Sequence, residues 1–240
     1  MCYASVREAI KELDLSKAPM YEAYFETIRP KTPEDIFRRG LFAFASVHTT
    51  WTSNIKLYAK LWDLEWLHDP EKLRAKIIES RAGLVNTRLK AISEYTAAYW
   101  QFPGLLDRKP HEPWHTYRDR IMGFMYGLGP AKSAFLIELV HLQDSDIVCM
   151  DTHMLQLYGI TAANVGTVRP TELARMETHW ELTCHSLGVK PVVARWLYWD
   201  KKQKKEDSRY WSHVLEGKPT FIVEQMELFT GGGGEEKINE

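Results

Sequence analysis

Tyr117-Arg118-Asp119-Arg120-Ile121-Met122-Gly123-Phe124-Met125-Tyr126-Gly127-Leu128-Gly129-Pro130-Ala131-Lys132-Ser133-Ala134 is the stretch whose reading decides the fold. Apolar groups at 121, 122, 124, 125 and 126 suit a helix with one buried face, ending at Gly127. Gly127 and Gly129 offer two positions able to take positive φ around one apolar anchor, Leu128, and Pro130 suits the first turn of a second helix. The segment therefore predicts two helices joined by a tight hairpin, the second running from Pro130 to about Val140. Lys132 and Ser133 fall beside the N–H groups that a helix start leaves unpaired. Free amides, the positive end of a helix dipole and a lysine make an anion site, and a phosphate diester is the obvious anion.

Beyond that helix, Asp144-Ser145-Asp146 turns the chain and Ile147-Val148-Cys149-Met150 runs apolar into Asp151. A carboxylate delivered by an apolar run is a helix cap or a working group, and Asp before Thr152-His153-Met154-Leu155 is a good N-cap signature. The two roles do not exclude each other.

Gly127 to Ala134, followed by Val148-Cys149-Met150-Asp151-Thr152-His153, resembles the helix-hairpin-helix DNA glycosylase superfamily, in which the hairpin grips DNA phosphates and an Asp at this place is essential. Two more stretches match it in order. Ser46-Val47-His48-Thr49-Thr50-Trp51-Thr52-Ser53-Asn54 resembles the family's early helix, and Gly83-Leu84-Val85-Asn86-Thr87-Arg88-Leu89-Lys90-Ala91-Ile92 resembles its Gly-Leu-x-Asn-x-basic-x-x-x-Ile segment. The ordered match covers about residues 38 to 160. It implies a catalytic role for Asp151 and Lys132. DNA contact is implied for the hairpin residues Gly127, Leu128, Gly129, Lys132 and Ser133, and for His48, Leu84, Asn86 and Arg88. Thr49, Trp51, Asn54 and His153 are implied for a substrate pocket.

The chain's 240 residues, 45% hydrophobic and 12% aromatic, allow one or two domains with a substantial core. Net charge is −1, so DNA affinity has to come from local patches, which fits an enzyme with a focused footprint better than a DNA coat. Cys2, Cys149 and Cys184 lie far apart with no C-x-x-C, which suggests neither a disulfide framework nor a zinc site. Nor can they supply the four closely spaced cysteines of the cluster-bearing glycosylases, so no iron–sulfur cluster, metal or other cofactor is expected, although the hairpin could hold a monovalent cation. Neither a secretory signal nor a membrane span is evident, and a monomer in the cytoplasm is expected, the bacterial host's if phage-encoded.

Helical punctuation continues on both sides. Val6, Ile10, Leu13 and Leu15 approximate a helical face that Ala18-Pro19 breaks, and Thr32-Pro33-Glu34-Asp35 has the form of a capped helix start. Leu41 to Val47 is apolar nearly all round, as suits a central helix. Tyr58, Trp62 and Trp66 lie in an aromatic band better explained by core packing than by base stacking. Gly83 is expected to end one helix and Asn86 to Trp100 to form the next. Late in the chain, Val192 to Trp199 reads as a helix, and Lys201-Lys202-Gln203-Lys204-Lys205 as a basic run that is a solvated face or a phosphate contact. Strand-like alternation is almost absent. The expected fold is all-α, one glycosylase-like unit over 1–230 with a cleft between two lobes, 38–115 and 1–37 plus 116–230, followed by a flexible tail at 231–240.

In an enzyme of this kind the nucleotide leaves the stack, which calls for a phosphate grip, a wedge and a carboxylate facing the reacting carbon. Leu84 and His48 are the wedge candidates, Leu84 the better one. A bifunctional glycosylase attacks with a lysine two positions after the second hairpin Gly. Here that position is Ala131, and Lys132 lies about a quarter turn further, which favours a phosphate or pyrophosphate contact over Schiff-base chemistry. A narrower resemblance joins Ser46 to Asn54 with Ala194-Arg195-Trp196-Leu197-Tyr198-Trp199-Asp200, Gln203 and Asp207-Ser208-Arg209-Tyr210-Trp211. This combination is similar to bacteriophage glycosylase-like proteins of thymidine hypermodification, which attach an amino acid to pyrophosphorylated 5-hydroxymethyluracil in DNA. It implies an amino-acid co-substrate. Base excision by a monofunctional glycosylase and a non-catalytic DNA-binding module are the alternatives, but the phosphate grip of a bare module would need neither Asp151 nor the Leu84 segment.

Overall fold

The computed structural model describes residues 3–204 together with Leu215, so the Asp207–Trp211 motif, Lys205 and the 231–240 tail lie outside the described residues. Among the described residues the chain forms α1 (Tyr3–Lys11), α2 (Ala18–Thr27), α3 (Pro33–Ala45), α4 (Trp51–Leu61), α5 (Pro70–Ser80), α6 (Val85–Gln101), α7 (Trp114–Phe124), α8 (Pro130–Val140), α9 (Thr152–Leu157), α10 (Pro170–Ser186) and α11 (Pro191–Lys202), with short 3-10 turns and no strand. None of these helices is long and apolar enough to cross a membrane.

α3 is the axis of the packing. Thr32 and Asp35 close a reciprocal capping box at its start and Pro33 takes the first turn, so the helix begins where local chemistry dictates. From Phe37 onward nearly every side chain is buried, because α4, α6 and α8 all pack against it. Each buried Phe contributes roughly 1.5–3 kcal/mol of burial free energy. Gly40 is fixed by close approach: a Cβ there would meet the Tyr95 hydroxyl at 2.0 Å. That ring instead stacks on Phe37, 5.1 Å between centroids, and its hydroxyl donates to the Phe37 carbonyl at 3.1 Å.

Some element ends move from their expected positions. The Ala18-Pro19 break is the start of α2 rather than an interruption. α5 stops at Arg81 in the left-handed conformation, φ 56°, two residues before Gly83. Tyr58 and Trp66 are buried, so the aromatic band is core there, while Trp62 is half-buried beneath Arg38.

Candidate active site and nucleic-acid interface

α7 and α8 meet at the hairpin. Gly127 has φ 87° and lies close enough to α6 that an added Cβ would stand 3.2 Å from that of Ala91, so both conformation and space require glycine there. Leu128 is the buried anchor. Gly129 corrects the expectation of two left-handed residues: it is extended, φ −83° and ψ −179°, in the N-cap position of α8 with open space around it. The helical ladder begins with the Ser133 amide donating to the Gly129 carbonyl at 2.9 Å. The amides of Ala131 and Lys132 thus precede the first helical bond and face outward. Ser133 is corrected as a phosphate contact, since its amide is used and its side chain is fully buried.

Ile147 to Met150 are buried and deliver Asp151 to the N-cap of α9. Its Oδ1 accepts from the amides of His153 and Met154, each at 3.0 Å, while Oδ2 lies 3.5 Å from Arg195 Nη1. Cap and charged group are therefore the same side chain, one oxygen for each.

Arg195, on α11, is 2% exposed and forks onto Glu138 of α8 through Nε, at 2.9 and 3.0 Å, and Nη2. Glu138 also accepts from the Cys149 amide at 2.7 Å. Burial raises the Glu138 pKa, while the charge and hydrogen bonds of Arg195 and the bond from the Cys149 amide work the other way; these three converging donors are what favours the carboxylate. Burial works against the guanidinium's charge, but Glu138 and Asp151 beside it outweigh burial and hold its pKa up. The formal charge of Glu138, Arg195 and Asp151 together is −1. Glu138 takes the guanidinium's fork, and Asp151 meets the same group only at its Nη1 edge, 3.5 Å away. The nearby Cys149 thiol is pushed up to about 12 by burial, which excludes a ready thiolate.

Asp151, Lys132 and Arg195 line one cavity of about 320 Å³. Trp51, Phe135 and Trp199 supply aromatic walls, and Thr49, Asn54, His153 and Gln203 supply polar groups. Lys132 stands in this wall as well, with Nζ 5.3 Å from the Phe135 ring centroid. Asn54 is 3% exposed and its Oδ1 has no hydrogen-bond partner, as is also true of His153 Nδ1. A second cleft of about 550 Å³ shares Lys132, Asp151 and Thr152 and runs past Gly127 and Gly129 to His48. Hairpin and cavity thus form one continuous depression.

His48 and Leu84 stand at two exposed tips, with φ 46° and 49°. A left-handed non-glycine costs about 1–2 kcal/mol, and at Leu84 the cost holds an apolar side chain 48% exposed to solvent. Leu84 is outside the walls of both cavities. Arg88 is corrected as a DNA contact. It is 4% exposed and donates to the carbonyls of Phe44, Ala45, Val47, Ala82 and Gly83, so it clamps together the chain segments that lead into the two tips. Asn86 is exposed and accepts from Arg74 at 2.9 Å.

Sequence reasoning assigned no role to Glu138 or Phe135 and quoted Arg195, Trp199 and Gln203 only as parts of the narrower resemblance. A carboxylate inside the apolar run Ala134 to Val140 was the available signal, since such a group is buried only with a partner.

The architecture is that of the helical DNA glycosylases. The chain is similar in structure to the 8-oxoguanine DNA glycosylase of Thermotoga maritima, with a TM-score of 0.69 and 16% identity over 86% of this chain and 100% of that one. It is equally similar to the 8-oxoguanine DNA glycosylase of Methanocaldococcus jannaschii, with a TM-score of 0.68 and 14% identity over 86% and 95% of the two chains. No protein-family model matches the sequence, and no curated protein matches it. At such identities the likeness is one of fold.

Proposed function

We propose that this chain is a DNA base-modifying enzyme acting on an extruded nucleotide. The observation that carries the reading is that Asp151, held at the edge of the Glu138–Arg195 pair, and Lys132 line one cavity that continues into the hairpin cleft. The outward amides of Ala131 and Lys132 hold a backbone phosphate, Leu84 or His48 fills the vacated stack, and the base enters the cavity that Trp51, Phe135 and Trp199 wall.

Within this class we favour amino-acid transfer to pyrophosphorylated 5-hydroxymethyluracil. The amine of the amino acid forms a C–N bond to the 5-methylene carbon, the C–O bond to pyrophosphate breaks, and the nitrogen gives up a proton. Lys132 meets the departing pyrophosphate. Asp151 stabilises the allylic cation that develops as pyrophosphate leaves. One observation favours the second reading, base excision by a monofunctional glycosylase: Asp151 lines a cavity of about 320 Å³, where its carboxylate would stabilise a sugar cation as the glycosidic bond breaks.

Incubation with duplex DNA carrying the pyrophosphorylated base and an amino-acid mixture, followed by mass analysis of nucleosides, separates the readings. A nucleoside carrying the amino acid through a C–N bond at its 5-methylene, with release of pyrophosphate, supports transfer. Free base and an abasic site support excision, and unchanged DNA with both substrate classes removes the enzyme reading. For the wedge, Leu84→Ala should slow turnover on duplex about tenfold more than on single strands, because only a duplex leaves a gap to fill. Equal losses would make Leu84 a packing residue.

A further inference from the structure

Arg39, on α3, is 5% exposed, yet among the described residues no carboxylate pairs with it. Its Nη2 donates to the carbonyls of Ile28 and Leu215, while Nη1 has no hydrogen-bond partner. Burial lowers its pKa, the mark of a charge held without adequate compensation. The same residue lines a cavity of about 220 Å³ between the end of α2, the start of α3 and the end of α4, separate from the site described above. Leu215 completes its wall, Arg29 and Lys31 stand exposed there and Arg38 is half-buried, so among the described residues four cations face one acid, Asp35. Asp35 is already committed: its Oδ2 accepts from the amides of Lys31 and Thr32, each at 3.1 Å, and its Oδ1 lies 3.9 Å from Arg38.

We propose that this cavity is an anion site that takes one phosphate group, with Arg39 Nη1 as its buried donor and Arg29 and Lys31 closing over it. A planar guanidinium with a spare N–H edge suits a phosphoryl oxygen, and surrounding positive charge favours a dianion over chloride. The site lies about 10 Å along α3 from Ser46 at the wall of the Asp151 cavity. On the intervening turns Phe42 and Tyr58 meet with ring centroids 5.0 Å apart, so the two chambers are divided by packed aromatics. The phosphate belongs either to a phosphorylated small molecule or to the DNA backbone beyond the hairpin's reach.

The test is calorimetric titration of the full chain with inorganic phosphate at constant ionic strength, alongside melting with and without phosphate. Saturable binding and a raised melting temperature are expected. Arg29→Gln combined with Lys31→Gln, at exposed positions that leave folding intact, should weaken it about ten- to a hundred-fold, the worth of one or two charge-assisted hydrogen bonds. Arg39→Met should melt at the same temperature with and without phosphate. No saturable heat with the folded protein, or an equal phosphate response in all variants, overturns the proposal. Because this titration uses no DNA, it stands or falls separately from the proposed enzymatic function. The source is read from DNA affinity of the double variant. A salt dependence shallower by about one unit per lost contact assigns the site to a backbone phosphate. Unchanged DNA affinity, with phosphate still binding the DNA complex, assigns it to a small phosphorylated molecule.

Discussion

Two buried arginine–glutamate pairs hold this fold, and they differ in what lies beyond them. Arg195 with Glu138 ties α11 to α8, and Arg118 with Glu177 ties α7 to α10; both carboxylates are fully buried. Behind the Arg118–Glu177 pair stand His115, 3.7 Å from Glu177 and 3.1 Å from Glu181, and Asp119, 2.9 Å from Arg118. That cluster spreads its charges toward solvent and ends there. Behind the Arg195–Glu138 pair stands Asp151, on the wall of the cavity. The same ion pair is scaffold in one place and, in the proposed chemistry, sets the field at the reacting group in the other.

The largest expected effect breaks either pair. Arg195→Met and Arg118→Met each strand a buried carboxylate and should each cost about 3–5 kcal/mol of stability by denaturant unfolding. Neutralising the stranded acid as well separates the two regions. Arg118→Met with Glu177→Gln should recover much of the stability together with activity. Arg195→Met with Glu138→Gln should recover stability only. Equal recovery of activity in both double variants would make the Arg195 pair mere scaffold.

Next in size is Asp151→Asn. Its side-chain oxygen still accepts from His153 and Met154, so the cap and the fold survive. Loss of a preorganised charge should slow single turnover about 100- to 1,000-fold, roughly 3–4 kcal/mol, with DNA binding retained. Near-normal turnover by a folded variant would sink the electrostatic role in both proposed chemistries.

Glu138→Gln sharpens the comparison further. It keeps an acceptor for the Cys149 amide but leaves the full Arg195 charge facing Asp151, so the three groups go from a formal −1 to neutral. Turnover should fall about tenfold, equivalent to roughly 1.4 kcal/mol, less than for Asp151→Asn because the carboxylate itself remains. A fall without change in substrate KM would point to the field rather than to binding.

The comparison also shows what the sequence could reveal. The hairpin and Asp151 are legible because their chemistry is local: Gly127, Pro130 and an N-cap Asp act within a turn of their own position. α8 falls at its expected bounds for the same reason. The Glu138–Arg195 pair joins residues 57 positions apart, and no periodicity announces which distant cation meets a buried acid. Arg88 was misassigned because a basic residue beside a DNA-contact motif looks the same on paper whether it reaches out or folds back onto five carbonyls.

The smallest effect belongs to the scaffold cluster and concerns pH. His115 is held above its usual pKa chiefly by its hydrogen bond to Glu181, with the charges of Glu181 and Glu177 adding to it and burial opposing. A histidine raised in the folded state contributes stability that is fully present below its unfolded value of about 6.5 and is lost as pH rises through the folded value. The side chain is 38% exposed, so solvent screens the pair and the contribution should stay near or below about 0.5 kcal/mol. His115→Gln should therefore lower the unfolding midpoint at about pH 5.5 and leave it nearly unchanged at about pH 8.5, with turnover of the variant parallel to that of the parent throughout. Were turnover instead to follow the His115 titration, the Arg118–Glu177 cluster would be coupled to the cavity after all, and the division between scaffold pair and site pair would fall.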